Sequence, residues 1–147
     1  MLDPASPLSG VRLLIVEDEA LIAILVEELA EETGCRTLQT VASIADGLAA
    51  IEKFKPQLAL VDCSLTHSGP DFTIADALDD AGVPFVFSSG HHTNILPVRH
   101  RGRDFLAKPF SLELLRTTII RVRNAQLLAT LTAPNDNTHA KHPVPFT

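Results

Sequence analysis

Leu58-Ala59-Leu60-Val61-Asp62 is a run of four apolar residues that ends in an acid. Pro56 stands before it, and a stretch rich in serine, threonine and glycine follows. A short apolar run between turn signals reads as a strand buried on both faces, the kind found in parallel sheets. Open α/β sheets bind their ligands beyond the carboxyl ends of the strands. Asp62 therefore stands where chemistry is expected.

Upstream, Val11 to Val16 reads as a first strand, followed at once by Glu17-Asp18-Glu19. A helix is predicted over Ala20–Glu32, with Leu21, Ile22, Leu25, Val26, Leu29 and Ala30 on one half of its wheel. Thr33-Gly34 ends it, glycine suiting a left-handed cap. Cys35 to Val41 is a less apolar strand nearer an edge, and Ser43 can cap a helix from Ile44 to about Phe54.

Downstream, a helix is predicted over about Asp71–Asp80, closed by Gly82, then a strand over Val83–Ser88 leading to Ser89-Gly90. His91 to Arg103 contains Pro97 and Gly102 and shows no helical face, so at most one turn of helix fits there. Asp104 to Ala107 is a short fifth strand before Lys108-Pro109. Ser111 caps a last helix, Leu112 to about Leu131, whose leucines and isoleucines read as core. Strands alternating with helices imply a doubly wound parallel sheet covered on both faces. Five strands in the flavodoxin-like order 2-1-3-4-5 fit, with an irregular fourth connection.

The chain has 147 residues, 46% of them hydrophobic, and a net charge of −6. That is one domain with a sizeable core, and the negative charge argues against direct DNA binding. Residues 1–10 are expected to form a flexible leader without signal-peptide features, 11–131 the domain, and 132–147 a loose tail. The longest greasy stretch, Ala20 to Val26, is too short to span a bilayer. Two cysteines, Cys35 and Cys63, provide neither a disulfide framework nor zinc spacing, and a cytoplasmic location is expected.

In the 2-1-3-4-5 order, strands one and three are neighbours, and Glu17, Asp18 and Asp62 converge at their carboxyl ends. Three packed acids repel, so the site calls for a cation. Carboxylates with room for water and phosphate oxygens suit magnesium. Lys108 leaves strand five and the Ser89 hydroxyl leaves strand four at the same edge. Acids, metal, lysine and hydroxyl together make a phosphoryl-transfer site with Asp62 as nucleophile.

From about Val11 to Leu128 the sequence resembles the receiver (CheY-like) domains of two-component response regulators. The resemblance rests on Val16-Glu17-Asp18-Glu19, Leu60-Val61-Asp62, Ser88-Ser89-Gly90 and Lys108-Pro109-Phe110, in order and at fitting spacing. It implies a single-domain regulator in which Asp62 accepts phosphate from a histidine kinase or phosphotransfer protein. It implies magnesium held by Asp18 directly, by Glu17 mainly through water, and by the Ser64 carbonyl. It gives Ser89 and Lys108 the phosphoryl oxygens, Phe105 the place of a switch aromatic, and the Lys108-Pro109 bond a cis geometry. It places kinase docking on the first helix and the loop after strand five, at Ala20, Ile24 and Phe110, with output through a protein partner or as a phosphate sink.

Several positions depart from the family pattern. Glu17 replaces the commoner aspartate, Ser89 the usual threonine, and Phe105 a tyrosine; Thr66 stands where a proline is usual. Phe87-Ser88-Ser89-Gly90-His91 resembles a drifted Phe-Ala-Thr-Gly-Tyr signature of the FAT GUY receiver subgroup. The alternative function is an unphosphorylated pseudo-receiver acting as a scaffold, against which Asp18, Asp62 and Lys108 stand intact. A haloacid-dehalogenase phosphatase would need an aspartate two residues after the nucleophile, where Ser64 stands. His91-His92 reads as no metal site, Cys63 as a small buried residue, and Arg99, Arg101 and Arg103 as a solvated basic loop.

Overall fold

The computed structural model describes residues 8–65, 69–90 and 96–132. The leader through residue 7, Thr66, His91, His92 and the tail from residue 133 lie outside the described residues. The strands are β1 (Arg12–Val16), β2 (Thr37–Val41), β3 (Leu58–Asp62), β4 (Phe85–Ser89) and β5 (Phe105–Ala107). The helices are α1 (Ala20–Glu32), α2 (Ile44–Lys53), α3 (Thr73–Asp80) and α4 (Leu112–Thr132). All pairings are parallel, in the order β2-β1-β3-β4-β5.

Local chemistry sets the boundaries. The Ser43 hydroxyl accepts from Asp46 N at 3.1 Å and the Ser111 hydroxyl from Leu114 N at 3.1 Å, so both predicted caps form. Gly34 takes φ +101° after α1, a conformation that costs glycine nothing. The third helix begins at Thr73 rather than Asp71, because the Asp71 side chain accepts from Thr73 N at 2.9 Å and forms the turn before it. The fourth strand begins after Pro84, which has no N–H to give the ladder.

Successive strand residues point to opposite faces, and this splits the core in two. Leu13, Ile15, Leu58, Leu60, Val86 and Leu106 pack under α1 and α4, against Val26, Ala30, Leu115, Ile119 and Val122. Leu14, Val16, Ala59, Val61, Phe85 and Phe87 pack under α2 and α3, against Ala50, Ile74, Ala75 and Leu78. α2 lies close on α3 because Gly47 has no side chain; a Cβ there would run into Ile74. Every residue of β3 is buried, so Asp62 is delivered from the middle of the sheet.

Three expectations are corrected. Leu21 and Leu25 are 83% and 50% exposed, and the buried stripe of α1 is Ala23, Val26 and Ala30. α1 is apolar around most of its first half, so its wheel did not single out one side. The last helix is core only through Val122; Leu127, Leu128 and Leu131 are exposed. Of the three arginines read as a solvated loop, Arg101 is exposed, but Arg99 and Arg103 are held in ion pairs. Arg99 pairs with Asp76, Asp79 and Asp80, and Arg103 with Asp79. They fasten a single 3-10 turn, Val98–His100, to α3.

Candidate functional site

The site is built where β1 and β3 end side by side. Val16 registers with Val61, so the next residues of both strands project past the same edge. Glu17 is buried, Asp18 exposed and Asp62 buried, and one carboxylate oxygen from each lies within 4.8 Å of the others. The turn holds them: Glu17 accepts from Glu19 N at 3.2 Å, and Asp62 Oδ1 accepts from Ser64 N at 2.8 Å. All the donor atoms are hard anionic oxygens, and the set fits a magnesium ion that keeps some of its waters.

Lys108 reaches across from the end of β5. Its backbone N–H donates to Ser89 O at 2.9 Å, and the peptide to Pro109 is cis, as the resemblance implied. The ammonium donates to Glu17 Oε1 at 2.6 Å and to Asp62 Oδ2 at 3.1 Å. Burial alone would lower the ammonium's affinity for its proton. The Glu17 hydrogen bond and the charge of Asp62 reverse this and leave its pKa raised. Burial pushes the Glu17 carboxyl up; the Lys108 hydrogen bond opposes this and the charge of Asp62 adds to it.

Ser89 is fully buried at the end of β4, with its hydroxyl 3.3 Å from that of Ser64. That contact was not foreseen: sequence reasoning gave Ser64 only a carbonyl role. Phe105 is half-buried on β5, its ring centroid 6.4 Å from that of Phe87 on β4, and β4 stands between it and the strands that carry the acids. A cavity of about 450 Å³ opens beside the cluster, walled by Asp62, Ser64 and Lys108 and by apolar Ile22, Leu25 and Phe110. Of the docking residues expected, Phe110 lines it; Ala20 and Ile24 are exposed on α1 outside its wall. Ile22 and Leu25 were missed because the wheel assigned both to the core. Cys63 is buried beside Asp62, and burial raises its thiol pKa, which keeps it protonated and inert.

Comparison with known proteins follows this geometry. The family model described as the response regulator receiver domain matches residues 13–120. Transcription factor SKN7 of Saccharomyces cerevisiae is 32% identical over 119 residues, which is 76% of this chain and 18% of that protein. Regulatory protein LuxO of Vibrio cholerae is 31% identical over 113 residues, 71% of this chain and 24% of that one. The chain thus spans under a quarter of the length of these curated relatives. The solution structure of SdrG from Sphingomonas melonis superposes with a TM-score of 0.67 at 32% identity, covering 80% of this chain and 98% of that one. No helix among the described residues is long and apolar enough to cross a membrane.

Proposed function

The chain belongs to the family of response regulator receiver domains, and from that premise we propose that Asp62 is its phosphoacceptor. A carboxylate oxygen of Asp62 attacks the phosphorus of a phosphohistidine on a histidine kinase or phosphotransfer protein. The P–O bond forms, the P–N bond breaks, and the imidazole leaves with the bond's electron pair and takes up a proton. The carrying observation is the placement of Asp62: buried at a strand end, with its second oxygen on the Lys108 ammonium and two further acids beside it.

Magnesium bound there supplies positive charge for the phosphoryl oxygens. Asp18 and Asp62 are the residues that would hold it, with Glu17 through water and the Ser64 carbonyl. Lys108 is already positioned to follow the new charge, at the cost of its bond to Glu17. Ser89 would turn its hydroxyl from Ser64 toward the phosphoryl group, and Phe105 would move into the space released. This is a two-state element biased by local charge. The acylphosphate then acts through a changed protein-docking surface or as a phosphate sink. The FAT GUY assignment rests on Phe87-Ser88-Ser89-Gly90 and is part of this reading only.

The test is direct. Incubation with acetyl phosphate and magnesium should add one phosphoryl mass to the intact protein, and Asp62→Asn should abolish it. Beryllofluoride should shift the amides of residues 89 and 105. Labelling that survives Asp62→Asn, or a spectrum unmoved at both places, rejects the assignment or the relay respectively. Absence of any label would leave the pseudo-receiver reading.

A further inference from the structure

The register of β3 and β4 pairs Asp62 with Ser88. Successive residues turn to opposite faces, so the next pair, Cys63 and Ser89, stand side by side on the face under α2 and α3. Cys63 belongs to the cluster packed there, as does Phe87, two residues before Ser89. Both Cys63 and Ser89 are fully buried. The Cys63 thiol hydrogen-bonds with the hydroxyls of Ser89 and Ser64, and those two oxygens lie 3.3 Å apart. Three small proton-bearing groups from neighbouring strands thus close a triangle beside Asp62.

A serine side chain is not branched at Cβ, so its χ1 is not held as that of threonine or valine is. The orientation of the Ser89 hydroxyl is therefore set by what it bonds. On its other flank the register places Ala107, whose side chain is a methyl group. The Lys108 ammonium is engaged by Glu17 and Asp62. Given Asp62 as the phosphoacceptor, on which this rests, we propose that Cys63 is a positioning residue. Its thiol, with the Ser64 hydroxyl, holds the Ser89 hydroxyl in the orientation seen here and opposes its turn toward a phosphoryl group on Asp62.

A thiol suits this task. An S–H is a weak donor and the sulfur a weak acceptor. A hydrogen bond to a charged oxygen is roughly twice as strong as one between neutral groups, so a phosphoryl oxygen can break the restraint. Burial raises the thiol pKa and so keeps on sulfur the proton that it shares with its neighbours. When Ser89 turns away, Cys63 and Ser64 still bond each other, so the switch leaves neither of them stranded.

The experiment measures the affinity of the whole chain for beryllofluoride, with magnesium, across a set of variants. A net hydrogen bond between neutral groups is worth a factor of about five in an equilibrium constant. Cys63→Ala removes one restraint on Ser89 and should tighten binding about fivefold. Ser64→Ala should do the same, at a half-buried position where the fold is less at risk. Cys63→Ser restores a hydroxyl partner and should return the affinity to that of the parent. With Ser89→Ala in place there is no hydroxyl to restrain, so neither alanine substitution should matter, the coupling that a double-mutant cycle reads. Without any ligand, Ser89→Ala should shift the infrared S–H stretching band of Cys63, identified by its loss in Cys63→Ala. Four results overturn the positioning role: no tightening in either alanine variant, equal tightening in Cys63→Ser, tightening that persists without the Ser89 hydroxyl, or an unmoved S–H band. A parent chain that binds no beryllofluoride overturns the phosphoacceptor reading itself, and this role with it, whatever the band does.

Discussion

The imidazole of His100 is fully buried, and its Nε2–H donates to Asp76 Oδ1 at 2.7 Å. Its ring lies between 5.5 and 6.0 Å, centroid to centroid, from Phe72, Phe85 and Phe87. The fourth connection is thus nailed to α3 by a side chain as well as by its arginines. His100→Ala would open a cavity among three rings and cost about 3 kcal/mol. His100→Phe would keep most of the volume and cost less. Urea titration measures both, and equal losses for the two variants would show that the hydrogen bond, not the packing, is what matters.

Lys108 is the cation nearest two nearly buried carboxylates, Glu17 and Asp62. Lys108→Met leaves both without it, and removing one partner of a buried ion pair costs about 3–5 kcal/mol. The proposed magnesium site exists only in the folded chain, so magnesium should recover part of that loss by mass action. Thermal melts with magnesium and with chelator read this out. A variant as stable as the parent in chelator would contradict the role given to the lysine.

Asp79 carries the pH dependence of the connection. The hydrogen bond from Arg99, aided by Arg103, holds its carboxyl below the usual range despite some desolvation. A carboxyl with a lowered folded pKa contributes stability that is complete above its unfolded value, about 3.9. That contribution is lost as pH falls through the folded value. Asp79→Asn should therefore be less stable than the parent at neutral pH, with the gap closing below about pH 4. A gap that persists unchanged in acid would rule out this source.

Ile24 is half exposed on the acidic helix, beside the apolar wall of the cavity that opens on Asp62. Ile24→Glu should slow phosphotransfer from the cognate kinase and leave acetyl-phosphate labelling unchanged. Equal slowing of both reactions would mean that the site itself was damaged, and the docking assignment would fall.

What could be read ahead of the structure was what depends on short range. α1 begins and ends at Ala20 and Glu32, as read, because acids and Thr33-Gly34 bracket it. The strand order followed from alternation and the crossover rule, and the meeting of Glu17, Asp18 and Asp62 followed from the order. What could not be read joins distant residues. Arg99 finds Asp79 twenty positions away, and no local pattern announces that pairing. The acids at 76, 79 and 80 and the arginines at 99 and 103 do each share a helical or turn-like spacing, and that was the available signal. Apolar content alone did not locate the core either: the leucines at 21, 25, 127, 128 and 131 are as greasy as those inside, and only neighbouring elements decide which are covered.

The bond between Glu17 and Lys108 spans 91 positions of sequence. During synthesis the chain emerges from its amino end at about 5–20 residues per second. β1, β3 and β4, and with them all three acids, are therefore made before the lysine that compensates them. Until residue 108 has cleared the ribosome, Glu17 and Asp62 lack their internal cation and have reason to stay in water. A chain broken off before that point has Asp62 but not the lysine that faces it. On the proposed function, competence for phosphoryl transfer would be acquired late in translation, and truncated products would take no part in it.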